Sequence, residues 1–343
     1  MIGVETGVYI INIDYSLTPK TFYTEFLRGL QKYFRNIIDM GNMPLYLDFS
    51  NCRLIEGHVI PNLFVTGYIV KNNVGYRPIL YIPLKNKVSS FLKSMGFYDI
   101  NDNTNVFELY EDWGKIENIY NLDDSCTVSF FNRTLDEIQI AEYFTKKYTK
   151  LFSTRLKDFS YTIYRKDEQK TISFNSLEVF CKQICYNSIL HGRSFCYASV
   201  QVLSKKQVLI SLSDCGKGML TTFFEKIKGE KYIPVILKSD CSLPKTQLDL
   251  LAILEGMVYR FDEEIYGIWS VLLDILSIKG IMRVHSGKIR LTFDNIEADT
   301  LATCKTKRDA ALMLYDYIMN NKDVKEETPN YGGTHIEIEL PIG

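Results

Sequence analysis

The spacing of apolar residues changes period several times along the chain. Gly7–Ile13 (GVYIINI) is a β-branched run and predicts a strand. Between Thr21 and Met40 the apolar residues Phe22, Phe26, Leu27, Leu30, Phe34, Ile37 and Ile38 recur at three- and four-residue intervals, which predicts an amphipathic helix. Pro44–Phe49 (PLYLDF) predicts the next strand, and a helix follows around Ile60–Val70. Arg77–Pro83 (RPILYIP) predicts a third strand, and Lys87–Gly96 a helix closed by its glycine. Strands alternating with helices imply a sheet with helices packed on it.

Residues 100–130 are polar and acidic and mark a boundary region. Beyond them the helical period returns from Thr134 to about Arg155, with Leu135, Ile138, Ile140, Ala141, Phe144 and Tyr148, and again over Asn175–Gly192. Tyr197–Leu203 and Gln207–Asp214 predict a β-hairpin. Thr246–Arg260 and Ile268–Lys279 predict helices, and Ile281–His285 with Lys288–Phe293 a second hairpin around Ser286-Gly287. A helix near Arg308–Asn320 precedes a last strand, Thr334–Leu340 (THIEIEL), which alternates cleanly. Helices on one face of a largely antiparallel sheet make an α/β sandwich. The expected class is therefore α+β: an α/β domain over 1–105, a connecting region over 106–130 and a second domain over 131–343.

Composition narrows the function classes. A chain of 343 residues is long enough for about two domains, and a hydrophobic content of 46% supplies their cores. The 40 basic and 41 acidic side chains nearly cancel, so net charge gives no ground for nucleic acid or an anionic membrane as partner. No stretch reaches the roughly 18–20 apolar residues of a membrane span, and Met1–Ile13 lacks the basic leader of a signal peptide. The eight cysteines, at 52, 126, 181, 185, 196, 215, 241 and 304, contain no CxxC pair. Cys181 and Cys185 share a helix face without a second ligand cluster, which favours small buried side chains over a zinc site. The expectation is a cytoplasmic protein with free thiols.

Two stretches of the first domain, LYLDFSNCRLIEGHVIPNLF (45–64) and YIPLKNKVSSFLKSMGF (81–97), resemble the STAS domain of anti-sigma-factor antagonists over roughly 90 residues. The resemblance places Asp48 at the end of a strand. It puts Glu56-Gly57 where the family carries an Asp-Ser pair whose serine a partner kinase phosphorylates. Glycine has no hydroxyl, and Ser50 lies elsewhere in the loop. The resemblance thus implies a docking or scaffold domain with a protein partner, not a phospho-switch.

Four motifs over 134–343 resemble the GHKL superfamily (HATPase domains), the ATP-binding fold of gyrase, MutL-like ATPases and histidine kinases. QICYNSILHG (183–192) is similar to the N-box, and Asn187 matches the asparagine that holds a magnesium ion (Mg2+) bridging the phosphates of ATP. A helix-borne amide oxygen is a suitable hard ligand, although such an asparagine can equally bond backbone. SDCGKGM (213–219) resembles the D-x-G-x-G box. There Asp214 would accept from the adenine amino group, and Gly216 and Gly218 would let the backbone approach the base. YGIWSVLLDILSIKGIMRVHSG (266–287) is similar to the helix after the ATP lid, with Gly267 directly before the helix. Backbone N–H groups at such a helix start receive phosphates. The second lid glycine is missing, Glu264 or Ile265 standing near its place. Residues 219–266 would form the lid, where Lys226, Lys228, Lys231 and Arg260 either neutralise phosphates or are merely solvated. YGGTHIEIELP (331–341) resembles the closing G-G-T strand, with Thr334 beside Asp214.

The chain departs from this pattern four residues before Asn187, where Gln183 replaces the glutamate that serves hydrolysing and phosphotransferring members as general base. An amide orients a nucleophile but cannot take its proton, and losing a general base costs about 10²–10⁴-fold in rate. Glu178 falls on the opposite helix face. His191, one turn beyond Asn187, either faces the phosphates or is a core or capping histidine. The resemblances together imply an ATP- and Mg2+-binding signalling protein in which nucleotide gates domain or partner contacts, with hydrolysis weak or absent. The alternative is an active serine-protein kinase or slow ATPase. Proteins of this type often dimerise, so a homodimer is among the arrangements they imply.

Overall fold

The computed structural model describes residues 2–5, 7–41, 43–84, 86–110, 126–131, 139, 142, 160–165, 168–173, 185, 186, 189, 194–203, 207–227, 243–259, 261 and 267–341. The chain divides into two compact units. The first comprises Met1–Phe130 with Tyr197–Gln201, the second Phe131–Cys196 with Val202–Gly343. Helices and several sheets make it an α+β protein.

The first unit is built on a sheet in the order β1 (Ile2–Glu5), β2 (Val8–Asn12), β4 (Leu45–Asp48), β6 (Ile79–Tyr81) and β7 (Glu108–Leu109). β1 pairs antiparallel with β2, and the remaining neighbours are parallel, as helical crossovers require. β3 (Tyr15–Leu17) and β5 (Cys52–Ile55) form a separate two-stranded parallel sheet. The helical stretch from Pro19 to Met40 contains a π-helical segment at Phe22–Phe26, where Phe22 stacks on Phe26. Its last part, α2 (Leu27–Met40), buries Leu27, Leu30 and Tyr33 and brings Gly29 against Ile11 of β2.

Helix α3 (Val59–Val74) is apolar around most of its circumference, and a helix of that kind has to be covered on every side. Phe64 packs against Phe97 at 4.6 Å and Phe107 at 5.9 Å, and stacks on Tyr197 at 4.9 Å with ring planes 5° apart. The first sheet therefore extends beyond residue 105 through β7, and the unit also takes in Tyr197–Gln201 from far along the chain. The short polar helix Phe97–Thr104 and the buried pair Val106 and Phe107 occupy part of the stretch read as a boundary. Burial, not local polarity, decides where this unit ends.

The second unit carries an antiparallel sheet centred on β14 (Lys325–Pro341). β12 (Gln207–Asp214) flanks it on one side and β13 (Ile281–Phe293) on the other. Ile281–Phe293 is one strand of 13 residues, so the expected hairpin around Ser286-Gly287 is not formed. A tight I′ turn needs positive φ at both central residues. Only Gly287 has it, at +67°, and it accommodates a bulge in a strand that pairs with β14 on both sides of the irregularity. β14 correspondingly begins well before Thr334. The helices here are α6 (Met219–Ile227), α7 (Lys245–Met257), α8 (Ile268–Ser277), α9 (Ala298–Leu301) and α10 (Lys307–Asn320). α7 packs on β13 and is tied to α10 by a buried ion pair, Lys307 Nζ to Glu255 Oε1 at 2.6 Å. Ser160–Arg165 and Glu168–Ser173 form a hairpin absent from the sequence reading. Among the described residues no helix is long and apolar enough to cross a membrane.

Gly67 tests the packing of α3. Alanine is the better helix former by about 1 kcal/mol, but a Cβ at this position would meet the Val106 side chain and the Phe107 ring, the latter at 2.7 Å. Overpacking of this kind costs about 1–3 kcal/mol. Urea unfolding of Gly67→Ala is expected to show a lower midpoint than the wild type; an equal or higher midpoint contradicts the packing.

Candidate functional site

The register of the second sheet assembles a polar row at one end. Ser213 lies opposite His335, which lies opposite His285, and one step on Ser286 lies opposite Thr334. Continuing the same register by one residue brings Asp214, the last residue of β12, level with Thr334. Opposed residues of an antiparallel sheet share a face, so Asp214, Thr334 and Ser286 form a row across three strands. On the same face the next rows are Leu212, Ile336 and Val284, then Ile210, Ile338 and Met282, all buried. The row is a polar end to an apolar layer.

Asp214 is only 2% exposed. Its Oδ1 accepts from the Gly216 N–H at 2.8 Å, and its carboxylate also accepts from the Thr334 N–H. Burial nevertheless dominates and pushes the carboxyl up to about 7. The group is therefore near half-ionised at neutral pH.

Backbone fills the space around it. Gly218 has φ +80°, and a Cβ there would lie 3.0 Å from Ser286 Oγ and 3.3 Å from the Gly333 carbonyl oxygen. Gly333 has φ +84°, and a Cβ there would overlap the Asp214 carbonyl oxygen. Both the backbone angle and the close approach exclude other residues at these two positions. Gly216 contributes its N–H without a left-handed conformation. Gly267 stands directly before α8, as expected, but with φ −109°, which any residue adopts. The structure thus joins Asp214, Gly216, Gly218 and Thr334 in one cluster. Gly267 stands at the start of its own helix.

Gln183, Asn187 and His191 lie outside the described residues, as do Lys228, Lys231 and Arg260 and the side chain of Lys226. Of residues 183–192, Cys185 and Ile189 are helical and buried. Among the described residues no cluster of His, Cys, Asp or Glu suits a metal ion. On the opposite face of the sheet from Asp214, His285 and His335 are both buried, 5.3 Å apart, and His335 stacks on Tyr331 at 4.5 Å. Burial drives His335 down to about 4 and His285 well below its usual value.

In the first unit, Asp48 ends β4 and its Oδ1 accepts from the Ser50 N–H at 2.8 Å. The Glu56-Gly57 position is internal. The Gly57 N–H donates to Gln201 Oε1 at 3.0 Å, and Ser199 Oγ donates to the Gly57 carbonyl at 2.7 Å. Both backbone groups of Gly57 are thus taken by the strand that covers α3.

Two residues of the cluster carry weight that the sequence reading did not give them. In the sequence pattern Gly333 is only part of a glycine pair, and Ser286 has the signature of a turn residue. The parity of β13 would have found Ser286, because a serine continuing the apolar series Met282, Val284 belongs to the inward face. No protein-family model matches the chain, and neither a curated protein nor a solved structure matches it.

The pKa of Asp214 fixes a sign. A carboxyl raised in the folded state contributes stability below about pH 4 and loses it as pH rises through about 7. The buried histidines act oppositely, contributing above their ordinary pKa and losing it as pH falls. Comparison with Asp214→Asn cancels the histidines. Between pH 5 and pH 8 the stability of the wild type is expected to fall relative to the variant by on the order of 2 kcal/mol in urea titrations. A pH-independent difference contradicts the assignment.

Proposed function

We propose that the second unit binds ATP with Mg2+ in a GHKL-type pocket, and that nucleotide occupancy gates the protein's contacts with a partner while hydrolysis is weak or absent. The observation that carries this reading is the buried carboxylate of Asp214 at a strand end, steadied by two backbone N–H groups and enclosed by glycines that leave no room for side chains. Adenine presents an amino donor to such a carboxylate. Guanine presents a carbonyl oxygen there and is repelled, so ATP is preferred to GTP. Thr334, level with Asp214, offers a hydroxyl at the same edge.

Asn187 would supply the oxygen ligand for Mg2+, and Gly267 the backbone at the phosphate end of the pocket. Gln183 supports the regulatory reading, because its amide holds a water without accepting a proton from it. The STAS-like first unit supports a protein partner. Its Glu56-Gly57 position has no hydroxyl, and its backbone is bonded to Ser199 and Gln201, which favours a scaffold role.

Calorimetric titration of ATP and Mg2+ into the full chain, followed by an overnight phosphate-release assay, tests the proposal. Binding without turnover is expected. If only ionised Asp214 accepts the amino group, affinity at pH 6 is about tenfold below that at pH 8, in proportion to the ionised fraction. Asp214→Asn is expected to bind much more weakly and without that pH dependence. Clear turnover would make the protein a kinase or ATPase, and absence of binding would remove the nucleotide reading altogether.

A further inference from the structure

We infer that Ser286 is a positioning residue of this pocket, a hydroxyl borrowed from β13 that caps helix α6 and so fixes the Asp214–Gly218 turn. The inference rests on the ATP-binding reading above. The first N–H groups of any helix lack partners within it, and a side chain at the preceding residue usually accepts one of them. At α6 the preceding residue is Gly218, whose carbonyl receives the first helical bond, from Thr222 N–H at 3.2 Å. Gly218 has no side chain to cap with, and its φ of +80° and the closeness of Ser286 Oγ and Gly333 prevent it from having one.

The cap comes instead from a residue 67 positions away. The Met219 N–H donates to Ser286 Oγ at 2.9 Å. Ser286 is 2% exposed and sits opposite Thr334, so the hydroxyl that holds the turn belongs to the same row as Asp214.

Ser286 is itself held in place by the bulge that follows it. A Cβ at Gly287 would lie 2.5 Å from the Asp249 carboxylate, and Asp249 Oδ2 accepts from the Lys288 N–H at 3.0 Å. Asp249 lies on α7 and is buried. A continuous set of contacts therefore runs from α7 through the bulge and Ser286 to the turn that carries Asp214.

The test compares wild type, Ser286→Ala, Ser286→Thr and Asp214→Asn by calorimetric titration of ATP with Mg2+, alongside amide hydrogen exchange at Met219 without nucleotide. Ser286→Ala is expected to bind ATP on the order of tenfold more weakly and to exchange the Met219 amide faster. Ser286→Thr keeps the hydroxyl and is expected to restore both. Unchanged affinity in Ser286→Ala, or equal losses in the alanine and threonine variants, overturns the inference. Unchanged Met219 exchange in Ser286→Ala overturns it independently of any ligand. If wild type binds ATP, Asp214→Asn does not, and Ser286→Ala matches wild type, only the role of Ser286 falls. If wild type itself takes no ATP, the nucleotide reading falls and the role of Ser286 falls with it.

Discussion

A carboxylate removed from water must be met by donors, and the burial of Asp214 organises much of the second unit. Two backbone N–H groups meet it, from Gly216 two residues on and from Thr334 on the neighbouring strand. To bring them in, the Asp214–Gly218 turn and the Tyr331–Thr334 segment must approach until their backbones touch. Only glycine fits at Gly218 and Gly333 as a result. The register of β12, β14 and β13 is set by the same requirement, because a shift of one residue would exchange the apolar face of Leu212, Ile336 and Val284 for the buried polar face of Ser213, His335 and His285. The polar face has its own closure, with Arg290 joined to Glu337 at 2.7 Å and to Glu326 at 2.9 Å. Neither face tolerates the other's residues, so the sheet has one register and Asp214 one place.

The first unit obeys a different constraint. Helix α3 is too apolar to leave any side in water, and Phe97, Val106 and Phe107 cover only part of it. Tyr197 stacks on Phe64 and closes the remainder, while Ser199 and Gln201 bond the backbone at Gly57 just before the helix. Gly57 is therefore used to fasten a distant strand. A glycine suits the position because the Gln201 side chain lies 2.7 Å from where a Cβ would stand.

Much of this was legible in the sequence where the determinants are local. Alternation located β12 and the end of β14, the three- and four-residue period located α2, α7, α8 and α10, and the spacing of Asp214, Gly218 and Thr334 announced a cluster that the structure assembles. The rest depends on contacts that local patterns do not encode. Ser286-Gly287 has the composition of a turn, and only pairing with the long strand β14 on both sides turns it into a bulge. Glu168–Ser173 holds a single apolar residue, Ile172, and displays no strand period, so its pairing with Ser160–Arg165 goes unannounced. The membership of Tyr197–Gln201 in the first unit rests on Phe64, more than a hundred residues earlier, and no window of sequence contains both.

The central claim is that Asp214 receives the base of a bound nucleotide. The most direct measurement is a crystal structure of the full chain grown with ATP and Mg2+, read at one distance, from the adenine amino nitrogen to the Asp214 carboxylate. The account predicts a hydrogen bond there, roughly 2.8–3.0 Å long, with the base lying against Gly218 and Thr334. A nucleotide seated elsewhere, or one whose sugar or phosphates face Asp214, would contradict it.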